Sequence, residues 1–132
     1  MNQKLKAENM KTRNRIIRKN LDVIILLMLL EKPMCSKDIM ERITKEFGIC
    51  LSTGTLYPLL HSWTEIGLLE CKPYVKRKVY SVADMEEALK IINEYMEANK
   101  YLMKLVESNI LVEKRGEQEK ILIFGEKEIV VE

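Results

Sequence analysis

The residues best equipped for chemistry lie in Ser52-Thr53-Gly54-Thr55-Leu56-Tyr57-Pro58-Leu59-Leu60 and just beyond it. Thr53, Thr55, Tyr57 and His61 offer three hydroxyls and the chain's one imidazole on the outward side of an expected helix. Such groups donate and accept hydrogen bonds, but no nucleophile and base stand at suggestive spacing. A second group is cationic: Lys72, Lys76, Arg77 and Lys78, with Tyr74 among them. Cations this close repel one another unless something anionic meets them. The three cysteines, Cys35, Cys50 and Cys71, form no CxxC pair, and the single histidine is not spaced to join them. Metal ligation and a disulfide framework are therefore not expected, and buried thiols in a reducing compartment are. With no Gly-rich phosphate loop either, the sequence calls for neither enzyme nor cofactor.

The elements that position these groups follow from periodicity. Ser52 is the expected N-cap of the central helix. Leu56, Leu59, Leu60, Trp63 and Ile66 recur at helical spacing and make its apolar face, with Trp63 read as core, and Gly67 ends it. Pro58 crowds the carbonyl of Gly54 and predicts a local irregularity. Upstream, a helix is expected to run to about Glu31, apolar in nearly every direction between Leu21 and Leu30, and Pro33 stops it. So complete an apolar surface needs either several covering elements or a second subunit. A shorter helix starts near Ser36 as N-cap, faces inward with Ile39, Met40, Ile43 and Phe47, and ends at Gly48. After Gly67 the period changes from near 3.6 to two. Leu69–Lys72 and Val79–Val82 read as a two-stranded hairpin with Pro73–Lys78 as its basic link.

Ser81 or Asp84 caps a long final helix to about Glu107, and Asp84 with Glu87 fits an acidic capping box. Its apolar residues fill two adjoining stripes. Met85, Ile92, Asn99 and Val106 recur at one heptad position, and a single polar residue in such a seam fixes register. Ile24, Met85, Leu89, Ile92, Tyr95, Met96, Asn99, Leu102 and Val106 are the expected dimerisation residues. Residues 109–132 read as a terminal hairpin, or as a strand pair completed by another subunit: Ile121–Phe124 and Ile129–Val131 flank Gly125–Glu128.

Net charge over the 132 residues is +2, but it is unevenly spread. Residues 1–83 carry 15 Lys/Arg against 8 Asp/Glu, or +7; residues 84–132 carry 7 against 12, or −5. A basic front half points to a polyanionic partner. Residues 1–19 hold seven of those cations against Glu8 alone, as a solvated helical extension or an arm that touches phosphates. The longest apolar run, Val23–Leu30, falls well short of the ~20 residues that span a bilayer. A soluble, cytoplasmic protein without membrane partners is expected.

The order helix, helix, helix, basic hairpin, long helix is that of a winged helix-turn-helix with a C-terminal helix. The chain resembles the PadR family of transcriptional regulators. The resemblance lies in Leu21-Asp22-Val23-Ile24-Ile25-Leu26 leading into Lys32-Pro33-Met34, then Gly54-Thr55-Leu56-Tyr57-Pro58-Leu59-Leu60, Gly67-Leu68-Leu69, and the basic segment ending in Val79-Tyr80. It covers about residues 15–105. Ser36 and Lys37 depart from the family's usual Gly-Tyr pair, and Ala83 and Asp84 from its turn after the wing. The resemblance implies a homodimer on operator DNA, usually a repressor, often with a small-molecule effector whose identity the residues do not give.

The expected fold is thus mainly α with a small β-hairpin (α+β). Residues 1–14 form a basic arm, 15–83 the winged helix-turn-helix, 84–108 the dimerisation helix and 109–132 a tail. Lys37, Thr53, Thr55, Tyr57, His61, Lys76, Arg77 and Lys78 are the expected contacts to double-stranded DNA. The central helix carries no Lys or Arg, so it lacks the commonest base-specific contact, a cation bidentate to guanine. The competing reading is a winged-helix protein-interaction module that has lost DNA binding.

Overall fold

A computed structural model of the chain describes residues 3–114, 120–124 and 127–131. Two compact units emerge: residues 10–92, and residues 93–132 with residues 1–9. In chain order the elements are α1 (Gln3–Lys19), α2 (Leu21–Glu31), β1 (Met34–Cys35), α3 (Ser36–Phe47), α4 (Thr53–Glu65), β2 (Leu69–Tyr74), β3 (Arg77–Val82), α5 (Met85–Asn109), β4 (Leu111–Lys114), β5 (Lys120–Phe124) and β6 (Lys127–Val131). Residues 10–92 form a winged helix-turn-helix, an α+β fold as expected.

The first expected helix is two. Asn20 lies between them with φ −118° and ψ 21°, outside helical geometry, and its side-chain amide donates to the Ile16 carbonyl at 2.7 Å. A short amide that bonds its own backbone competes with the helical ladder in this way. The apolar α2 is covered chiefly by its own chain: Leu21, Val23, Ile25, Leu26, Met28 and Leu29 are buried, while Leu27 remains exposed.

Around α2 the core gathers Ile39 and Ile43 from α3, Leu56 and Leu60 from α4, Leu68 and Leu69, Tyr80 from β3 and Ala88 from α5. Met40, Phe47, Leu59 and Trp63 pack at its edge. Arg42 ties α3 to the end of α2. Its guanidinium meets Glu31 and Glu46, both at 2.9 Å, and these carboxylates hold its proton more firmly than usual. From the second half of α1, the Arg13 guanidinium lies 5.9 Å from the centre of the Phe47 ring.

The wing has one strand more than expected. Met34 and Cys35 pair with Tyr80 and Val79, so β3 is central in an antiparallel sheet of order β1-β3-β2. β2 and β3 pair continuously from Leu69↔Val82 to Tyr74↔Arg77, which shortens the link to Val75 and Lys76. Both have positive φ, +41° and +64°. A two-residue hairpin turn of this hand ordinarily takes Asn-Gly, and a β-branched residue there is strained.

The long helix α5 runs two residues past the expected end. Asp84 rather than Ser81 is its cap: the Asp84 carboxylate accepts from the Glu87 N–H at 3.0 Å. The expected terminal hairpin is β5 paired with β6, and β4 adds a third strand to make an antiparallel sheet of order β4-β5-β6. Gly125 and Glu126 of the expected turn lie outside the described residues. The cysteines are free as expected, but only Cys35 is buried; Cys50 is exposed and Cys71 intermediate.

Leu60→Ala removes a side chain with no exposed surface from the contact that seats α4. It is expected to destabilise the fold by roughly 2–5 kcal/mol in urea denaturation.

Candidate nucleic-acid interface

The outward face of α4 is set by its inward one. Leu56 and Leu60, both fully buried, fix the rotation of the helix, which leaves Thr53, Thr55, Tyr57 and His61 exposed. Ser52 occupies the N-cap position, and its carbonyl accepts from Thr55 and Leu56 at 3.1 Å each. Its hydroxyl makes no capping bond and lies 3.1 Å from the Thr55 hydroxyl instead. The helix passes through Pro58 without a break. The carbonyl that proline leaves unserved belongs to exposed Gly54 in the first turn, where water reaches it.

The other end closes in a Schellman motif. The Gly67 N–H donates to the Thr64 carbonyl at 3.2 Å, and the Leu68 N–H donates to the Trp63 carbonyl at 3.0 Å. Gly67 has φ +82°, the left-handed geometry the motif needs. Ile66, expected on the buried face, is 69% exposed, because it is the C-cap and the helix stops before turning it inward.

Between α4 and the wing lies an open cavity of ≈ 450 Å³, lined by Cys35, Ser36, Lys37, Tyr57, Lys76, Arg77, Lys78 and Tyr80. Five of the eight expected DNA contacts therefore meet at one place: Lys37 at the start of α3, Tyr57 on α4 and the three wing cations. Among the described residues no acidic group pairs with Lys76, Arg77 or Lys78. Lys37 has only a loose, exposed partner, Glu41 at 3.9 Å. Thr53, Thr55 and His61 do not line the cavity. His61 lies 3.1 Å from Glu65 one turn on, both exposed.

Ser36 does not cap α3 as expected: Cys35 takes the N-cap position and Ser36 is the first helical residue. Its hydroxyl donates across to the Tyr57 hydroxyl at 3.3 Å, long for such a pair. Sequence reasoning misses this contact and the wall residues Cys35 and Tyr80. No sequence signal marks them, because the pairing of Met34–Cys35 that brings them together is only two residues long. Burial holds the Tyr80 phenol above its ordinary range, with Cys71 adding to the effect, so Tyr80 stays a neutral wall.

On α5, Met85, Leu89, Met96, Leu102 and Val106 are exposed at 43–54%, and Tyr95 is partly exposed. Ile24 and Ile92 differ: both pack partly against the chain's own core. Asn99 is exposed, and its side-chain amide donates to the Tyr95 carbonyl at 3.0 Å. Among the described residues, no group of His, Cys, Asp and Glu is placed to hold a metal. No helix there is long and apolar enough to cross a membrane.

Comparison with solved structures identifies the architecture. The X-ray structure of a PadR-like transcription factor from Bacteroides fragilis matches 72% of this chain and 98% of its own, with a TM-score of 0.53 and 24% identity. A PadR family transcriptional regulator from Eggerthella lenta matches 82% and 100%, with a TM-score of 0.60 and 21% identity. The fold is that of PadR-like regulators. No protein-family model matches the chain. In sequence, it is 35% identical over 72 residues to the transcriptional activator GvpE2 of Halobacterium salinarum, which is 54% of this chain and 37% of that protein. It is 32% identical over 104 residues to the transcriptional activator GvpE1 of the same organism, or 78% of this chain and 54% of that one. The chain thus spans about a third to a half of the curated relatives it matches. These relatives are named as activators of transcription and the structural neighbours as regulators, neither of which is an enzyme class.

Val75 adds a strained backbone to the wing. Val75→Asn, which tolerates positive φ, is expected to stabilise the protein by about 1 kcal/mol, read as a higher melting temperature.

Proposed function

We propose that the protein is a DNA-binding regulator of transcription that acts as a homodimer. The observation that carries this reading is the basic cavity between α4 and the wing, where Lys76, Arg77 and Lys78 pair with no acid among the described residues and stand opposite Tyr57 and Lys37. Unpaired cations lining an open groove are what a sugar–phosphate strand meets. In this reading α4 lies in the major groove with Thr53, Thr55, Tyr57 and His61 toward the DNA, and Lys37 and the wing supply the charge that α4 lacks. The relatives' names support a role in transcription. They speak of activation, so the repression expected from the family resemblance draws no support from them.

Dimerisation is supported by α5, which leaves Met85, Leu89, Met96, Leu102 and Val106 exposed at helical spacing along its length. Its expected seam is narrower than the periodicity implied, since Ile92 is partly engaged at home.

A second reading, a protein-interaction module without DNA binding, is favoured by one observation: α4 presents no Lys or Arg, and its imidazole pairs with Glu65. Binding to genomic DNA fragments that weakens steeply with added salt discriminates the two.

Replacing Lys76, Arg77 and Lys78 together with Ala is expected to weaken binding to every duplex. The salt slope is expected to fall by about 0.9 for each phosphate the wing no longer neutralises. An unchanged slope in a gel-shift titration counts against the wing. Leu102→Lys places a charge on the exposed stripe of α5 and is expected to give monomers in sedimentation velocity; a persistent dimer moves the interface elsewhere.

A further inference from the structure

The terminal sheet has its charge sorted by face. β4 pairs with β5 from Leu111↔Ile123 to Lys114↔Lys120, and β5 pairs with β6 from Lys120↔Val131 to Phe124↔Lys127. Successive residues of a strand belong to opposite faces of its sheet, and directly paired residues share a face. The register therefore places Leu111, Ile121, Ile123 and Val130 on one face, together with Glu113 and Glu128. Val112, Leu122 and Ile129 form a row across the other face, which also holds Phe124 and Val131. The charged residues of that second face are Lys114, Lys120 and Lys127. Among the described residues, one face thus carries only acids beside its apolar rows, and the other only lysines.

Two features of this arrangement call for a cover. A sheet with one face in water alternates apolar and polar residues along its strands, whereas a strand apolar on both faces belongs between two layers. Ile121–Phe124 of the central strand is apolar throughout. Yet among the described residues these three strands make their extensive contacts with one another, and Val130 on the acidic face is 57% exposed. The second feature is the pairing of Lys114 with Lys120. Like charges directly opposite each other on two strands destabilise the pair, and an anion laid over them removes the penalty.

The lysine face thus suits an apolar partner that carries acids, and the acidic face an apolar partner that carries cations. A second copy of the sheet is both. We propose that the terminal sheet stacks on that of a second copy, the face with Glu113 and Glu128 against the face with Lys114, Lys120 and Lys127. A two-fold axis sets like faces together, acid on acid or lysine on lysine. Charge complementarity selects unlike faces, a head-to-tail contact that does not close at two copies. Three strands ~4.8 Å apart and ~17 Å long cover roughly 250 Å², against the ~800 Å² per partner of a stable interface. One stack is therefore weak, and the assembly grows with concentration. It needs neither DNA nor the α5 stripe.

Sedimentation velocity of the full chain between about 1 µM and 1 mM tests this. The parent is expected to pass beyond two copies as concentration rises, and to fall back as added salt screens the charges. A protein that stops at a dimer over this range overturns the stack and leaves the α5 interface in place. Two charge-reversed variants locate the contact. Glu113→Lys/Glu128→Lys puts cations on both faces, and Lys114→Glu/Lys120→Glu/Lys127→Glu puts acids on both. Each alone is expected to stay at its smallest species, while an equimolar mixture recovers the larger ones. A mixture that recovers nothing, with both variants melting as the parent does, overturns the proposal. Lys120→Glu alone covers the case of a triple variant that does not fold. It sets an acid opposite Lys114, so its melting temperature is expected to hold or rise while assembly needs about fivefold more protein. Unchanged assembly of Lys120→Glu counts against the stack.

Discussion

The seating of α4 decides what its outward face can present to a partner. Leu56 and Leu60 have no exposed surface, and they meet a core built from α2, α3, the wing and the start of α5. Because a helix turns as a rigid body, anchoring one edge fixes the direction of every side chain on the opposite edge. Thr53, Tyr57 and His61 face outward because Leu56 and Leu60 face in. The loop before α4 is fixed as firmly: Ile49 is fully buried, and the Thr44 hydroxyl donates to its carbonyl at 3.0 Å. The helix therefore has little freedom to rotate, and its surface chemistry is pre-set.

This division of labour explains an apparent deficiency. A helix whose outward face offers no Lys or Arg has weak long-range attraction for a polyanion. In the proposed complex its neighbours supply what it lacks, since Lys37 sits on α3 and the three wing cations sit on β3 and its turn, all around one opening with Tyr57. Shape and hydrogen bonding are assigned to one element and charge to the others. The arrangement needs β1, because its pairing with β3 joins the start of α3 to the strand that carries Arg77 and Lys78.

Much of this is legible in the sequence, and the reasons for the gaps are physical. Strong periodicity reveals α3, α4 and α5, because burial imposes a repeat that side-chain type records. Gly48 and Gly67 mark helix ends correctly, as only glycine takes the left-handed geometry there without strain. β1 is invisible because two residues leave no period to read. The break at Asn20 is hidden because apolar spacing continues across it, while the deciding interaction is a local amide bond. The Ser36 and Ser52 caps fail for a shared reason: each position or neighbourhood is right, but a hydroxyl has another hydroxyl within reach. The wing tip reads as a longer loop because its two turn residues carry none of the usual turn chemistry. Of the expected interface, the cationic cluster and Tyr57 are legible as residues but not as a single cavity, since that requires the sheet register.

Leu68 joins two helices through its backbone. Its N–H is held by the Trp63 carbonyl at the end of α4, and its own carbonyl accepts from both Ala83 and Asp84, at 2.9 and 3.3 Å, where α5 begins. Its side chain is buried, so it cannot move without disturbing the core. One peptide segment thus clasps the tail of α4 to the head of α5. The whole wing separates the two helices in sequence, yet one residue's backbone bonds to the end of the first and the start of the second.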